Sequence, residues 1–336
     1  MNTPFYAKAS VAKLVEYLIR PAKNDLDKVR AIYNYDIQSY RRGTTGPTDS
    51  KDVLQKGQSV CAGYSNLFED MCKCAGIQVK CISGYAKGLS YNPEDGFSLN
   101  KNANHDWNVV YLYGEWRFVD STWGAGYINS QMEFERRNTE LYFLTDPKVL
   151  IQSHFPYVDK DVQRSQKWQL LKHPIDLETF NRRVKGSVIA SELNIEFVSH
   201  KNGIVEIQGE DEIVLRIPNS NIILQAHLRD MNGTNVKNCL ILKKKANTYK
   251  IRIRAPCVGK YKLEVYGTQN DNSVLDLYVT YIIHFKSTDE KIRPFPDNDK
   301  LWDRWQHCPN SESLKKLERK HLMSRKMVHA QLKYRF

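Results

Sequence analysis

The sequence predicts an α+β domain followed by a β-sandwich. In the first half of the chain, three helical patterns come before a group of short strands, and helices that are segregated from strands are typical of α+β folds. From about Val184 onward, short strand-like segments alternate with turn residues. A length of 336 residues is sufficient for two such domains.

The three helices are predicted from capping residues and apolar periodicity. The first covers residues 10–20, with Ser10 as its N-cap, and the second covers residues 25–40. The third begins at Cys61 and stops before Gly76, a typical C′ residue. Its apolar face is formed by Tyr64, Leu67, Phe68, Met71 and Ala75.

Three strands follow the third helix, at residues 79–86, 107–112 and 116–119. The last two are joined by Tyr113-Gly114, which fits a two-residue hairpin turn. Between the first two strands, residues 90–104 are polar and rich in turn formers. We expect this segment to overhang any site at the end of the sheet.

The second half of the chain contains eight predicted strands. Tyr261, Leu263 and Val265 alternate with polar residues, as expected for a half-buried strand. So many short strands indicate an immunoglobulin-like sandwich, although the Cys…Trp…Cys pattern of antibody domains is missing from the sequence. The predicted strands are 192–198, 204–207, 212–217, 222–228, 240–244, 248–253, 261–266 and 274–285.

Composition limits the classes of function. The seven cysteines are scattered and frame neither a zinc site nor a disulfide scaffold, which suits a reducing cytosol. The N-terminus lacks a signal-peptide pattern, and no apolar run approaches a membrane span. The net charge is +12, and residues 291–336 carry twelve Lys and Arg against five Asp and Glu. No nucleic-acid-binding signature accompanies this basic tail.

Cys61, His105 and Asp120 are the candidate catalytic residues. A thiol, an imidazole and a carboxylate can act as a nucleophile, its base and the group that orients the base. Cys61 is expected in the first turn of a buried helix, where the helix dipole favours the thiolate and free amides can bind an oxyanion. A structural role for each residue, as a buried thiol or a simple His–Asp contact, is the alternative.

The hairpin brings His105 and Asp120 together in this interpretation. A two-residue turn at Tyr113-Gly114 pairs Leu112 with Glu115 and, by extension, Trp107 with Asp120. Because His105 shares a strand face with Trp107, Asp120 lies diagonal to His105, about 7–8 Å away along the backbone. A turn longer by one residue would move Asp120 to the other face. We expect both side chains to face the helix that begins near Cys61.

Several motifs resemble the kyphoscoliosis peptidase family of the transglutaminase-like superfamily. The resemblance is strong over roughly residues 8 to 180. It includes Val60-Cys61-Ala62-Gly63-Tyr64, Ser83-Gly84-Tyr85, His105-Asp106-Trp107-Asn108, Asp120-Ser121-Thr122-Trp123-Gly124, Tyr142-Phe143-Leu144-Thr145-Asp146-Pro147, His154-Phe155-Pro156 and Trp168-Gln169-Leu170-Leu171.

The resemblance implies a papain-like, transglutaminase-type core in which Cys61 is the nucleophile, His105 the base and Asp120 the orienting acid. Gln58, Trp107 and Trp123 are weaker candidates for the oxyanion site and substrate cleft. Asp106 departs from the family, which usually has a small residue there. Because Asp106 should point to the opposite strand face, we expect it to have little effect.

The predicted function is a cytoplasmic cysteine peptidase or hydrolase that forms an acyl-thioester. The family association points to cytoskeletal or muscle-associated protein substrates and to filament partners. One alternative is an inactive cytoskeletal scaffold, and another is a cross-linking transglutaminase. No cofactor, metal, nucleic acid or membrane span is expected. The predicted division is 1–183 for the catalytic domain, 184–290 for the sandwich and 291–336 for the basic tail.

Overall fold

The computed structural model describes residues 3–43, 45–88, 91–128, 133–219, 221–254, 256–268, 275–287 and 295. The chain forms two compact units, Met1–Glu192 and Leu193–Phe336. In these described ranges, no helix combines the length and apolar character that crossing a membrane requires. The predicted basic tail, residues 291–336, lies outside the described residues except for Phe295.

The first unit combines short helices with one large sheet. Its described helices are α1 (Val11–Leu18), α2 (Asp25–Ser39), α3 (Ser50–Lys56), α4 (Cys61–Cys74), α5 (Ser121–Ala125), α6 (Pro147–Leu150), α7 (Val162–Gln166), α8 (Leu177–Arg182) and α9 (Val188–Glu192). Its described strands are β1 (Arg41–Arg42), β2 (Gln58–Ser59), β3 (Val79–Ala86), β4 (His105–Leu112), β5 (Glu115–Val119), β6 (Gly126–Ile128), β7 (Phe134–Arg136), β8 (Phe143–Thr145) and β9 (His154–Pro156).

The large sheet has the order β8-β5-β4-β3-β9 and is buried on both faces. On one face, Val110, Leu112 and Val119 join the core formed by α1, α2 and α4. On the other face, Trp107, Val109 and Phe118 belong to a second core with Ile82, Tyr142 and Leu150. Alternation along β4 therefore separates the side that packs against α4 from the side that carries Trp107.

The predicted N-terminal helices are confirmed, together with their caps. Ser10 Oγ accepts a hydrogen bond from the Lys13 amide at the start of α1. Gly76, just after α4, has φ +76°, a conformation that glycine adopts without a steric penalty. Helix α3 was not predicted. It is short, and it is capped by Asp49, which accepts from the amides of Lys51 and Asp52.

The register of the predicted hairpin is also confirmed. Leu112 pairs with Glu115, and the ladder continues to Asn108 paired with Val119. Tyr113 and Gly114 have φ values of 52° and 87°. Two consecutive positive φ values are typical of the type I′ turn, whose twist suits antiparallel strands. Asp120 directly follows Val119 of the last pair, so its side chain lies on the strand face that carries Trp107 and His105, as predicted.

The described strands of the second unit are β10 (Glu196–Phe197), β11 (Ile204–Gln208), β12 (Glu210–Arg216), β13 (Ile223–Asp230), β14 (Leu240–Lys245), β15 (Thr248–Arg254), β16 (Gly259–Thr268) and β17 (Asp276–Ser287). They form two four-stranded sheets, with orders β10-β12-β15-β14 and β11-β17-β16-β13. Burial alternates along β16, as predicted for Tyr261, Leu263 and Val265. The predicted α+β core followed by an immunoglobulin-like sandwich is therefore the architecture of the chain.

Two local predictions for this half were wrong. The strand predicted at 192–198 shrinks to β10, because α9 ends at Glu192 and a turn follows at residues 193–194, where Asn194 has a φ of 52°. The scattered cysteine spacing did not predict a disulfide, yet Cys257 is disulfide-bonded. In the described part of the chain, Cys61, Cys72, Cys74, Cys81 and Cys239 carry free thiols.

Candidate active site

Cys61 is the first residue of α4, as the sequence predicted. The first amides of a helix have no partner within the helix, so this position suits both a thiolate and a bound oxyanion. Burial alone would raise the pKa of the Cys61 thiol. Hydrogen bonding to His105 and the charge of His105 outweigh that effect, and the net result is a lowered pKa.

His105 and Asp120 form a buried hydrogen-bonded pair. His105 Nε2 lies 2.7 Å from Asp120 Oδ2, and both side chains are almost fully buried. Because Nε2 is engaged with the carboxylate, Nδ1 is the ring nitrogen that remains for the Cys61 thiol. The three residues therefore meet in the order thiol, imidazole, carboxylate.

The side chains meet at the end of the sheet and not on the face covered by α4. Asn108, three residues after His105 in β4, faces α4 and donates its amide to the carbonyl of Ser65. His105 and Trp107 lie on the other strand face, where their rings are 6.1 Å apart. The expectation that His105 and Asp120 face the helix holds for its first residue, because His105 hydrogen-bonds to Cys61. Cys61 meets them because α4 begins where β4 begins.

The charges of the pair stabilise one another. Burial lowers the pKa of His105, but the charge of Asp120 and the hydrogen bond to it raise the pKa to about 9. Burial likewise raises the pKa of Asp120, but His105 and His154 hold it well below its usual range. The geometry thus supports an imidazolium ion beside an ionised carboxylate.

Asp120 has three hydrogen-bond donors around its two oxygens. Oδ2 accepts from His105 and from His154 Nε2, which lies 3.0 Å away. Oδ1 accepts from the amide of Trp123 at 2.9 Å, so Asp120 is also the N-cap of α5. Each donor fixes the carboxylate from a different direction, which limits its rotation.

His154 was missed as a site residue in the sequence analysis. The motif His154-Phe155-Pro156 was seen, but nothing in the spacing placed its ring near Asp120. In the structure His154 is the first residue of β9 and is almost fully buried. The available signal was a histidine inside an otherwise apolar strand. Such a histidine does not reveal that its partner is Asp120, which follows β5, three strands away from β9 in the sheet.

His105, Asp120 and His154 each offer an atom that could ligate a metal ion, and these three atoms lie within 4.8 Å of one another. Both Nε2 atoms are at hydrogen-bond distance from the same oxygen. A metal site requires the ligand lone pairs to converge on the ion, with each ligand deprotonated. The arrangement fits a hydrogen-bonded carboxylate better than a metal ligand set.

Aromatic rings cover the two histidines. Trp123 lies 5.3 Å from the His105 ring and 4.5 Å from the His154 ring, and Trp107 lies 5.1 Å from the His154 ring. Gly84 makes room for Trp107, because a Cβ there would come within 2.5 Å of its ring. The structure thus brings Trp107 and Trp123 to the site.

Gln58 and Asp106 lie outside the hydrogen-bonded pair formed by His105 and Asp120. Gln58 lies on β2 with an exposed side chain, and no hydrogen bond joins it to the buried pair among the described residues. Asp106 does influence the thiol, although little effect was expected. Its charge raises the pKa of Cys61, and its backbone hydrogen bond lowers it. Its carboxylate accepts a hydrogen bond from Ser83 Oγ.

Comparison with known proteins gives two family matches and several relatives. Residues 12–121 match the transglutaminase-like superfamily, and residues 177–296 match the KY-like, immunoglobulin-like domain. The kyphoscoliosis peptidases of Mus musculus and Homo sapiens are both 31% identical, over 80% and 79% of this chain. A crystal structure of a TGase aligns with 43% of this chain and with 39% of its own chain. The two are 17% identical, with a TM-score of 0.28.

The chain is related to the kyphoscoliosis peptidases, and its residues 12–121 are similar to the transglutaminase-like superfamily. It spans about two fifths of these curated relatives, 40% of the mouse protein and 39% of the human one.

Proposed function

We propose that this chain is a cysteine hydrolase of the transglutaminase-like type, with Cys61, His105 and Asp120 as its catalytic triad. The main support is the buried hydrogen bond between His105 Nε2 and Asp120 Oδ2, beside a thiol whose pKa is lowered by His105. A structural thiol in an apolar core has a raised pKa instead. Cys72, which is fully buried in the same helix, shows that contrast.

The proposed reaction begins with attack of the Cys61 thiolate on a carbonyl carbon of a peptide or glutamine side chain. His105 already holds the thiol proton at this point. As the C–S bond forms, the π bond of the carbonyl breaks, and its electrons move to the oxygen to give a tetrahedral oxyanion. The amides at the start of α4 stabilise this charge, and Gln58 is a second candidate donor. His105 then protonates the departing amine, the C–N bond breaks, and an acyl-thioester remains.

The acceptor in the second step decides the product. Water, deprotonated by His105, releases a carboxylic acid and regenerates the thiol, which is peptidase or amidase chemistry. A lysine amine would release an amide instead, which is the cross-linking reaction of a transglutaminase. We favour hydrolysis because the related proteins are named peptidases.

Selective alkylation tests the nucleophile directly. The protein is treated with iodoacetamide at neutral pH, and each cysteine is followed by mass spectrometry. Cys61 is expected to react first, and Cys81 is the matched control because burial raises its pKa to about 12. Equal rates at Cys61 and Cys81 in the folded protein would refute the assignment.

Turnover is tested separately with a peptide library for cleavage and with a labelled amine for incorporation into protein. Cys61→Ala should abolish either activity. The alternative of an inactive scaffold would be supported if Cys61 is alkylated selectively but neither reaction is detected.

Cytoskeletal or muscle-associated proteins are the proposed substrates and partners, and the cytoplasm is the proposed location. This part of the proposal depends on the family alone, since the chain covers only part of its relatives. A pull-down from muscle lysate with Cys61→Ala, which can trap substrates, would test it. Enrichment of proteins from other compartments alone would contradict it.

A further inference from the structure

The triad carboxylate is shared between two imidazoles, and the proposed chemistry uses only one of them. His154 Nε2 lies 3.0 Å from Asp120 Oδ2, the same oxygen that His105 contacts. His154 comes from β9, which pairs with β3 and lies on the far side of it from β4. Its ring therefore reaches the carboxylate independently of the hairpin that carries His105.

The hydrogen bonds define which ring nitrogen of His154 carries the proton. Asp120 is ionised and can only accept, so His154 Nε2 must donate. His154 Nδ1 lies 2.8 Å from Ser153 Oγ, whose hydroxyl can donate to it. Burial and the neighbouring His105 lower the pKa of His154, although Asp120 raises it in part. His154 is consequently a neutral donor with a fixed tautomer.

The surroundings hold this ring in place. His154 packs edge-on against Trp107, Trp123 and Tyr142, with ring centroids 5.1, 4.5 and 6.0 Å away. The backbone beside it is also tied to β3, because the Lys87 amide donates to the carbonyl of Ser153. A rigid donor on a buried carboxylate restricts the rotation of that carboxylate.

We infer that His154 is a positioning residue, which holds Asp120 in the orientation that supports the His105 imidazolium and hence the Cys61 thiolate. This inference rests on the proposed function and adds a fourth residue to its machinery. Without the His154 donor, the Trp123 amide and His105 itself are the hydrogen-bond donors that the described residues still offer the carboxylate. Asp120 then turns more freely, and its support of His105 weakens.

Other titratable groups lie near His105, Asp120 and Cys61, and a test of His154 has to leave them unchanged. Asp36 and Tyr33 approach Asp120 from α2, since its charge raises the pKa of both. Asp106 acts on Cys61 from β4. None of these residues is changed in the variants below, so a difference between variants reports on His154.

Two substitutions separate the hydrogen bond from the packing. His154→Phe retains an aromatic ring but removes both nitrogens. His154→Gln places an amide N–H near the position of Nε2 and loses the ring. The pKa of His105 is measured by NMR with labelled histidine, and the rate of Cys61 alkylation is measured against pH in the full chain.

In His154→Phe, the pKa of His105 should fall by about one unit, and Cys61 alkylation near pH 6 should slow by about tenfold. His154→Gln should remain within about threefold of the parent protein. A role in packing alone predicts the reverse order, with His154→Gln the more damaged variant, and would overturn the inference. So would an unchanged or raised pKa of His105 in His154→Phe.

Ser153→Ala provides a second test if His154→Phe does not fold. It removes the donor to Nδ1 and lets the ring adopt the tautomer that cannot donate from Nε2. A smaller shift in the same direction is expected, and no shift would overturn the inference. The His105 titration does not require a reactive thiol. An unreactive Cys61 in the parent protein would therefore refute the proposed function and leave the test of His154 intact.

Discussion

At the scale of single residues, the charge of Asp120 is the quantity that controls the site. Its carboxylate raises the pKa of His105 to about 9, and His105 in turn lowers the pKa of Cys61. Between these two pKa values the thiolate–imidazolium pair predominates. The pair is lost as the pH rises through the pKa of His105, and it is lost by thiol protonation as the pH falls.

Asp120→Asn should therefore slow the alkylation of Cys61 by tenfold or more near pH 6. The amide still caps α5 but carries no charge, so the pKa of His105 falls and that of Cys61 rises. The difference between the two proteins should shrink as the pH rises, because the thiol of the variant then ionises as well. The pH dependence of the alkylation rate measures this.

Asp106→Asn is the matched control, and its effect should have the opposite sign. The charge of Asp106 raises the pKa of Cys61, so its removal should speed alkylation near pH 6. If both asparagine variants slow the reaction equally, the distinct electrostatic roles assigned to the two aspartates are wrong.

Asp36 on α2 is a second acidic residue with an unusual environment. It is fully buried, and its carboxyl oxygens have no hydrogen-bond partner of normal geometry among the described residues. Burial raises its pKa to about 8, and the interaction with Ser121 offsets this only in part. Asp36 is therefore protonated in the folded state at neutral pH, whereas the unfolded chain releases this proton near pH 4.

Asp36→Asn should become increasingly stabilising as the pH rises from about 4 to 8. The raised pKa means that the folded state binds the extra proton, so the parent loses stability with rising pH in this range. The limiting slope is about 1.4 kcal/mol per pH unit. Urea unfolding of both proteins at several pH values measures the difference. A constant difference across that range would show that Asp36 ionises normally.

At the scale of elements, the hairpin shows what local sequence can determine. The turn type fixed the register of β4 and β5, and the register placed Asp120 on the face of His105. The start of α4 followed from apolar periodicity. These features depend on residues that are close together in the sequence, so local sequence patterns were sufficient to predict them.

The remaining parts of the site depend on contacts between distant segments. His154 reaches Asp120 from 34 positions away in sequence. Asp36 becomes buried because α2 packs near α5, which no pattern in α2 indicates. Parity along β4 likewise defines a strand face but not the element that covers it. Asn108 contacts Ser65 within α4, whereas His105 meets Cys61 at its first residue.

The beginning of α4 depends on close packing at Gly63. A Cβ there would lie 2.4 Å from the carbonyl oxygen of Pro47 and 1.9 Å from Ser59 Oγ. Gly63→Ala should therefore displace the first turn, lower stability by about 1–3 kcal/mol and slow the alkylation of Cys61. Thermal unfolding and the alkylation rate measure both effects. Cys74→Ala, at an exposed position of the same helix, is the control and should change neither.

At the scale of the whole molecule, the amino-acid sequence predicted an α+β domain followed by a β-sandwich, because helices and strands have different apolar periodicities. The chain passes from one compact unit to the other between Glu192 and Leu193. Glu192, at the end of α9, is bound to the first unit through Thr139 and Arg137. We propose that the catalytic unit and the sandwich are separate domains followed by a basic tail.

The tail is proposed as a partner-binding segment, and its removal after Pro296 provides the test. This truncation keeps Phe295, which is buried and lies 3.9 Å from the Arg254 guanidinium. The truncated protein should keep its Cys61 reactivity but lose co-sedimentation with acidic filaments such as actin. Binding by the full chain should weaken as salt rises, because the screening length is only about 10 Å at 0.1 M.

A full-length variant with Lys315, Lys316, Arg319 and Lys320 changed to glutamine separates charge from length. It should bind as weakly as the truncated protein if attraction to the filament is electrostatic. Equal binding by all three proteins at every salt concentration would leave the tail without this role. A large loss of thermal stability on truncation would instead favour a strap packed on the sandwich through Trp302 and Trp305. In that case, the glutamine variant should retain the stability of the parent, because such packing depends on aromatic burial and not on charge.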